Sequence, residues 1–99
     1  MKNIHIIVEG RVQKVGYRRF VVSVARNLDN ISGWVRNLEN GDVEILASGE
    51  ENKLNQLIFE CKKGPSFSKV INLTVSDISN DEIDKFFEPI TTKVFKAIL

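Results

Sequence analysis

The sequence predicts an α+β fold in which an antiparallel sheet carries two helices packed on one face. Three observations lead to that class. The apolar period switches from strand to helix to strand, and then does so a second time. Asn40-Gly41, the strongest short hairpin signal, joins the two halves. Gly64-Pro65 supplies a stop after the second helical stretch.

The elements follow in order. Ile4 to Glu9 is a strand, with Ile4, Ile6 and Val8 on one face and β-branched residues throughout. It runs into a loop framed by Gly10 and Gly16. Val21, Val24, Ala25 and Leu28 then fall at helical spacing, predicting an amphipathic helix from Arg18 to about Leu28, closed by Asp29-Asn30. Ser32 to Leu38 reads as the second strand. Asn40-Gly41 predicts a type I′ turn, whose central residues both need positive φ, and Asp42 to Ala47 is the antiparallel third strand. Leu54, Leu57, Ile58 and Cys61 mark the second helix, with Glu50 and Glu51 suited to its positive end. Lys69 to Val75 alternates again as the fourth strand. A last strand has two candidate positions, 86–92, where Pro89 would confine it to an edge or bulge, and 92–98. The order β-α-β-β-α-β is the ferredoxin-like pattern.

Ninety-nine residues allow one domain, 1–99, and 42% apolar content is that of an ordinary globular chain. Fourteen basic against thirteen acidic residues leave a net charge of +1, with no general pull toward nucleic acid or an anionic membrane. One Cys and one His can form neither an internal disulfide nor a zinc site of the usual ligands. Apolar runs are too short to span a bilayer, and the N-terminus lacks a signal-peptide core. The expectation is a cytoplasmic, metal-free monomer with no nucleic-acid or membrane partner. An RNA-recognition module shares the element order but needs aromatics on its central strands, and Asp42 to Ala47 has none.

Charge is concentrated in one place. Arg11, Lys14, Arg18 and Arg19 put four positive charges within nine residues, around a glycine-framed loop that opens a helix. Backbone N–H groups of such a loop and a helix N-terminus can bind an anion. The alternative reading is a basic loop whose glycines serve turn geometry. A nucleotide P-loop does not fit, because five residues separate Gly10 from Gly16 and no Lys-Ser/Thr pair follows.

Two longer stretches sharpen this. Val8-Glu9-Gly10-Arg11-Val12-Gln13-Lys14-Val15-Gly16-Tyr17-Arg18 resembles the signature of the acylphosphatases, and Gly33-Trp34-Val35-Arg36-Asn37-Leu38-Glu39-Asn40-Gly41-Asp42-Val43-Glu44 resembles that family's other signature. Gly64-Pro65 also falls where the family has it, so the likeness covers about residues 4–75. The resemblance implies an enzyme that hydrolyses a small-molecule acyl phosphate to a carboxylate and inorganic phosphate, with no cofactor and no metal. It implies that Arg18 and the backbone amides of the loop Gly10, Arg11, Val12, Gln13, Lys14 and Val15 bind the phosphoryl group, and that Asn37 orients water. Such chemistry suits these residue types. The leaving carboxylate needs no strong acid, a guanidinium offers a planar fork of donors, and an amide can orient water without titrating.

The chain departs from that pattern at Lys14, where the family has Gly, and at Tyr17, where Phe is usual. Lys14 keeps its N–H, but a left-handed backbone there would cost roughly 1–2 kcal/mol. The alternative function is therefore a non-catalytic anion-binding or regulatory module on the same scaffold. Similar domains also begin a much larger hydrogenase-maturation carbamoyltransferase, a reading that 99 residues argue against. His5 is expected to be an ordinary strand side chain, Cys61 and Trp34 packing residues, and Asp81, Glu82 and Asp84 a solvated acidic loop. Arg11 and Arg36 are expected to tune potential only, without a catalytic part.

Overall fold

The computed structural model describes residues 1–85 and 95–98. Its elements are β1 (Lys2–Arg11), α1 (Tyr17–Leu28), β2 (Ser32–Asn37), β3 (Val43–Gly49), α2 (Glu51–Lys63), β4 (Lys69–Ile78), a single 3-10 turn (Ile83–Lys85) and β5 (Phe95–Ile98). The sheet runs in the order β4-β1-β3-β2-β5. The four longer strands pair antiparallel, as expected, and β5 adds to the β2 edge in parallel. Among the described strands, that parallel edge is the one departure from an all-antiparallel sheet. It falls within the second of the two candidate positions, and the first, 86–92, lies outside the described residues.

Register decides what faces what. Ile4, Ile6 and Val8 pair with Ala47, Ile45 and Val43, and Gly33 and Val35 with Ala47 and Ile45. These residues share one face and pack on Val21 and Ala25 of α1 and Leu54, Leu57 and Cys61 of α2. Both helices therefore cover the same side, which the alternation of the strands dictates. Asn37 has the parity of Gly33 and Val35, so its side chain belongs to the helix side. Arg36 and Trp34 belong to the other.

On that other face Glu44 accepts hydrogen bonds from His5 Nε2 (2.7 Å) and Arg36 Nε, and the Arg36 guanidinium lies 4.9 Å from the Trp34 ring. Burial alone would raise the Glu44 carboxyl, but the His5 and Arg36 bonds outweigh it and hold it below the usual range. His5, Trp34 and Arg36 thus have structural work away from the loop.

The hairpin differs from the expected type. Leu38 N donates to Asp42 O (2.9 Å) and Gly41 N to Leu38 O (3.2 Å), enclosing three residues instead of two. Gly41 has φ 98°, whereas Asn40 keeps a negative φ and accepts at Oδ1 from Asp42 N (3.0 Å). A three-residue connection uses a type I turn followed by one left-handed residue, so only Gly41 carries that conformation.

Tyr17 adds a bond that Phe could not make. Its hydroxyl is buried and donates to the Cys61 carbonyl at 2.7 Å, one of the last-turn carbonyls of α2. Burial pushes the Tyr17 hydroxyl well above its ordinary value and the Cys61 thiol up to about 12. Tyr17→Phe is expected to cost about 1–2 kcal/mol, since the carbonyl keeps its burial but loses its donor. Urea unfolding checks this, and an unchanged midpoint would show that the bond contributes nothing.

Candidate active site

The loop after β1 and the start of α1 form one wall of a cleft of about 600 Å³. Gly10 and Arg11 still pair with Val70 and Lys69 of β4, so the free stretch of loop is 12–16. Gly10 sits at a bulge with φ 133°, and a Cβ there would lie 2.1 Å from the Lys69 carbonyl oxygen, which explains a glycine at that position. Lys14 (φ 63°) and Gly16 (φ 80°) both adopt positive φ, the kind of turn that gathers successive N–H groups into a concavity.

The N-terminus of α1 opens onto the same space. Gly16 caps it without a side-chain hydrogen bond, and its first turn carries no acid. Its free N–H groups and dipole therefore favour an anion. By contrast, α2 places Glu51 in its first turn.

Arg18 and Asn37 both line the cleft, together with Val12 and Lys14. Arg18 is half-buried and spends one donor, Nη1, on the Ile98 carbonyl at 3.0 Å, which steadies the fork. Among the described residues its other donors have no side-chain hydrogen-bond partner. Asn37 comes in from the end of β2. Among the described residues, Asn37 Oδ1 is the buried side-chain atom left without a hydrogen-bond partner. A buried orphan acceptor costs roughly 1–3 kcal/mol, and beside a polar cleft it suits a donor brought in by water or ligand.

The other expected residues stand elsewhere. Arg11 is exposed at the end of β1, and Val15 packs partly buried against the core. Gln13 turns its amide away and donates from Nε2 to the carbonyls of Leu38 (2.7 Å) and Asp42 (2.8 Å). It ties the loop to the hairpin that follows Asn37. Sequence reasoning missed Arg26, Val22 and Ala97 as cleft residues. The helical spacing of Arg18, Val22 and Arg26 was a usable signal for two of them, while Ala97 depends on how β5 docks. Among the described residues no group of His, Cys, Asp and Glu converges on a possible metal position, and no helix is long and apolar enough to cross a membrane.

The acylphosphatase family model matches residues 4–89, across both loop and hairpin. The chain belongs to the acylphosphatase family. Acylphosphatases are enzymes, and the chain is one by that membership. The acylphosphatase of Chlorobaculum tepidum is 41% identical over 90 residues, spanning 91% of this chain and 97% of that one. The crystal structure of acylphosphatase from Bacillus subtilis superposes with a TM-score of 0.84 at 37% identity and covers both chains fully. HypF from T. kodakarensis also contains a similar domain, with a TM-score of 0.78 and 28% identity over 12% of its length. The ferredoxin-like α+β class read from the sequence is that of the acylphosphatase structures.

Lys14, the loop position where the resemblance leads one to expect Gly, adopts a left-handed conformation. Relief of that strain is worth roughly 1–2 kcal/mol, offset by the larger unfolded-state freedom of Gly. Lys14→Gly is therefore expected to raise the thermal midpoint by a few degrees, and to raise turnover with it as the loop relaxes. Calorimetry and kinetics on both proteins check this. A lower midpoint would contradict the strain account. Weaker phosphate inhibition at a higher midpoint would instead give the ammonium a part in binding.

Proposed function

We propose that the protein hydrolyses the carboxyl–phosphate anhydride bond of acyl phosphates, releasing a carboxylate and inorganic phosphate. The observation that carries this reading is the meeting of three features in one cleft: the Arg18 fork, the uncapped start of α1 beside the loop 12–16, and the unpaired Asn37 Oδ1. The phosphoryl oxygens bind to Arg18 and to backbone N–H groups of the loop. Asn37 accepts a hydrogen bond from a water molecule and aims its lone pair at phosphorus. As the new P–O bond forms, the bond to the acyl oxygen breaks and its electron pair leaves on the carboxylate. The water proton passes to a phosphoryl oxygen.

Negative charge spreads over the phosphoryl oxygens in this transition state, so fixed donors do most of the catalysis. Neither a general acid nor a metal ion is required, because the leaving carboxylate is already a stable anion. The test is benzoyl phosphate turnover in the presence of a chelator, with inorganic phosphate as inhibitor. Chelator-insensitive hydrolysis, inhibited competitively by phosphate, is expected. Phosphate binding without turnover would favour the non-catalytic anion-binding module.

A further inference from the structure

The cleft continues along α1 past the phosphoryl position. Arg18, Val22 and Arg26 recur every four residues and form one stripe on its wall. Facing them runs β5, where the Ile98 and Phe95 carbonyls accept from Arg18 Nη1 (3.0 Å) and Arg26 Nε (3.3 Å), with Ala97 between them on the cleft surface. The result is a trough with a guanidinium at each end and an apolar floor of Val22 and Ala97. Eight residues of helix separate the two arginines by about 12 Å between Cα atoms.

Charge in this trough is one-sided. Among the described residues, Lys14, Arg18, Arg19 and Arg26 line it and no acidic residue does, although the whole chain is nearly neutral at +1. Among the described residues, none of these four cations forms an ion pair. The phosphoryl group accounts for the Arg18 end alone. A second guanidinium beyond an apolar stretch fits a second anion carried by the same molecule, since Arg and carboxylate match as a two-bond fork.

Resting on the hydrolysis proposed above, we propose that Arg26 is a specificity residue that binds a terminal carboxylate on the acyl chain. The favoured substrates are then acyl phosphates of short dicarboxylic acids. The acyl methylenes lie over Val22 and Ala97, and the distal carboxylate meets Arg26.

Glutaryl phosphate and its methyl ester test this, because they differ only in the distal charge. The wild-type protein is expected to show a kcat/KM about fivefold to tenfold higher for the acid, carried mainly by KM, as befits a partly exposed charged pair. In Arg26→Gln the acid and the ester become equal. Arg26→Lys, which keeps the charge and the stem, retains part of the preference. A wild-type ratio near one, a ratio that survives Arg26→Gln, or an Arg26→Lys as indifferent as Arg26→Gln would each overturn the inference while hydrolysis stands. Failure to hydrolyse these two compounds and benzoyl phosphate alike would remove the hydrolysis reading, and this inference with it.

Discussion

Arg18→Ala is expected to lower kcat/KM for benzoyl phosphate by about 10³-fold or more, the range seen when a guanidinium that meets transferring phosphoryl charge is removed. Inhibition by inorganic phosphate should be lost with it. The stability cost is far smaller. Arg18 gives up one bond to the Ile98 carbonyl, worth about 0.5–1.5 kcal/mol, against a typical total of 5–15 kcal/mol. Almost all chains stay folded, so unfolding cannot account for a thousandfold loss. Arg18→Lys is not expected to restore activity, because an ammonium lacks the planar fork. Steady-state kinetics with a thermal melt on each variant check this. An Arg18→Ala protein with near-wild-type turnover and phosphate inhibition would remove Arg18 from the site.

Asn37→Ala should behave differently. Turnover is expected to fall on the order of 10²-fold, as for loss of one preorganised polar group. Phosphate inhibition should persist, because Arg18 and the loop amides are untouched. Stability should hold, since among the described residues no protein group donates to Asn37 Oδ1 and so no protein hydrogen bond to that oxygen is lost. Lower turnover with unchanged phosphate affinity and an equal thermal midpoint is a pattern that packing damage does not produce. A collapse of phosphate affinity with turnover intact would refute the water-orienting role.

The fold was legible where pattern and packing agree. Ile4, Ile6 and Val8 alternate in the sequence and all three are buried. Leu54, Leu57 and Cys61 mark the α2 stripe and are buried as well. Legibility failed where the cause is not local. The end of β4 past Val75 has exposed Ser76 and Asp77 and was not legible from alternation; backbone pairing with β1 defines it. Placement of β5 depends on parallel pairing with β2, some sixty residues away in the chain. The hairpin type turned on loop length, which Asn40-Gly41 alone does not specify.

The site divides the same way. Arg18, Lys14 and Asn37 stand in motifs and meet in the cleft. Arg36 is the neighbour of Asn37 in sequence, yet strand parity sends it to the opposite face, where Glu44 holds it. The side chain of Gln13 was not readable as a tie between loop and hairpin, because its partners are backbone carbonyls 25 and 29 residues away.

The central claim is that a fixed cradle holds phosphorus while water attacks it. Hydrolysis of benzoyl phosphate in ¹⁸O-labelled water tests that claim most directly. The account predicts one labelled oxygen in the inorganic phosphate and none in the benzoate, because the bond broken is between phosphorus and the acyl oxygen. Label in the benzoate would place the attack at the carbonyl carbon and contradict the assignment of Arg18, the loop amides and Asn37 to a phosphoryl site.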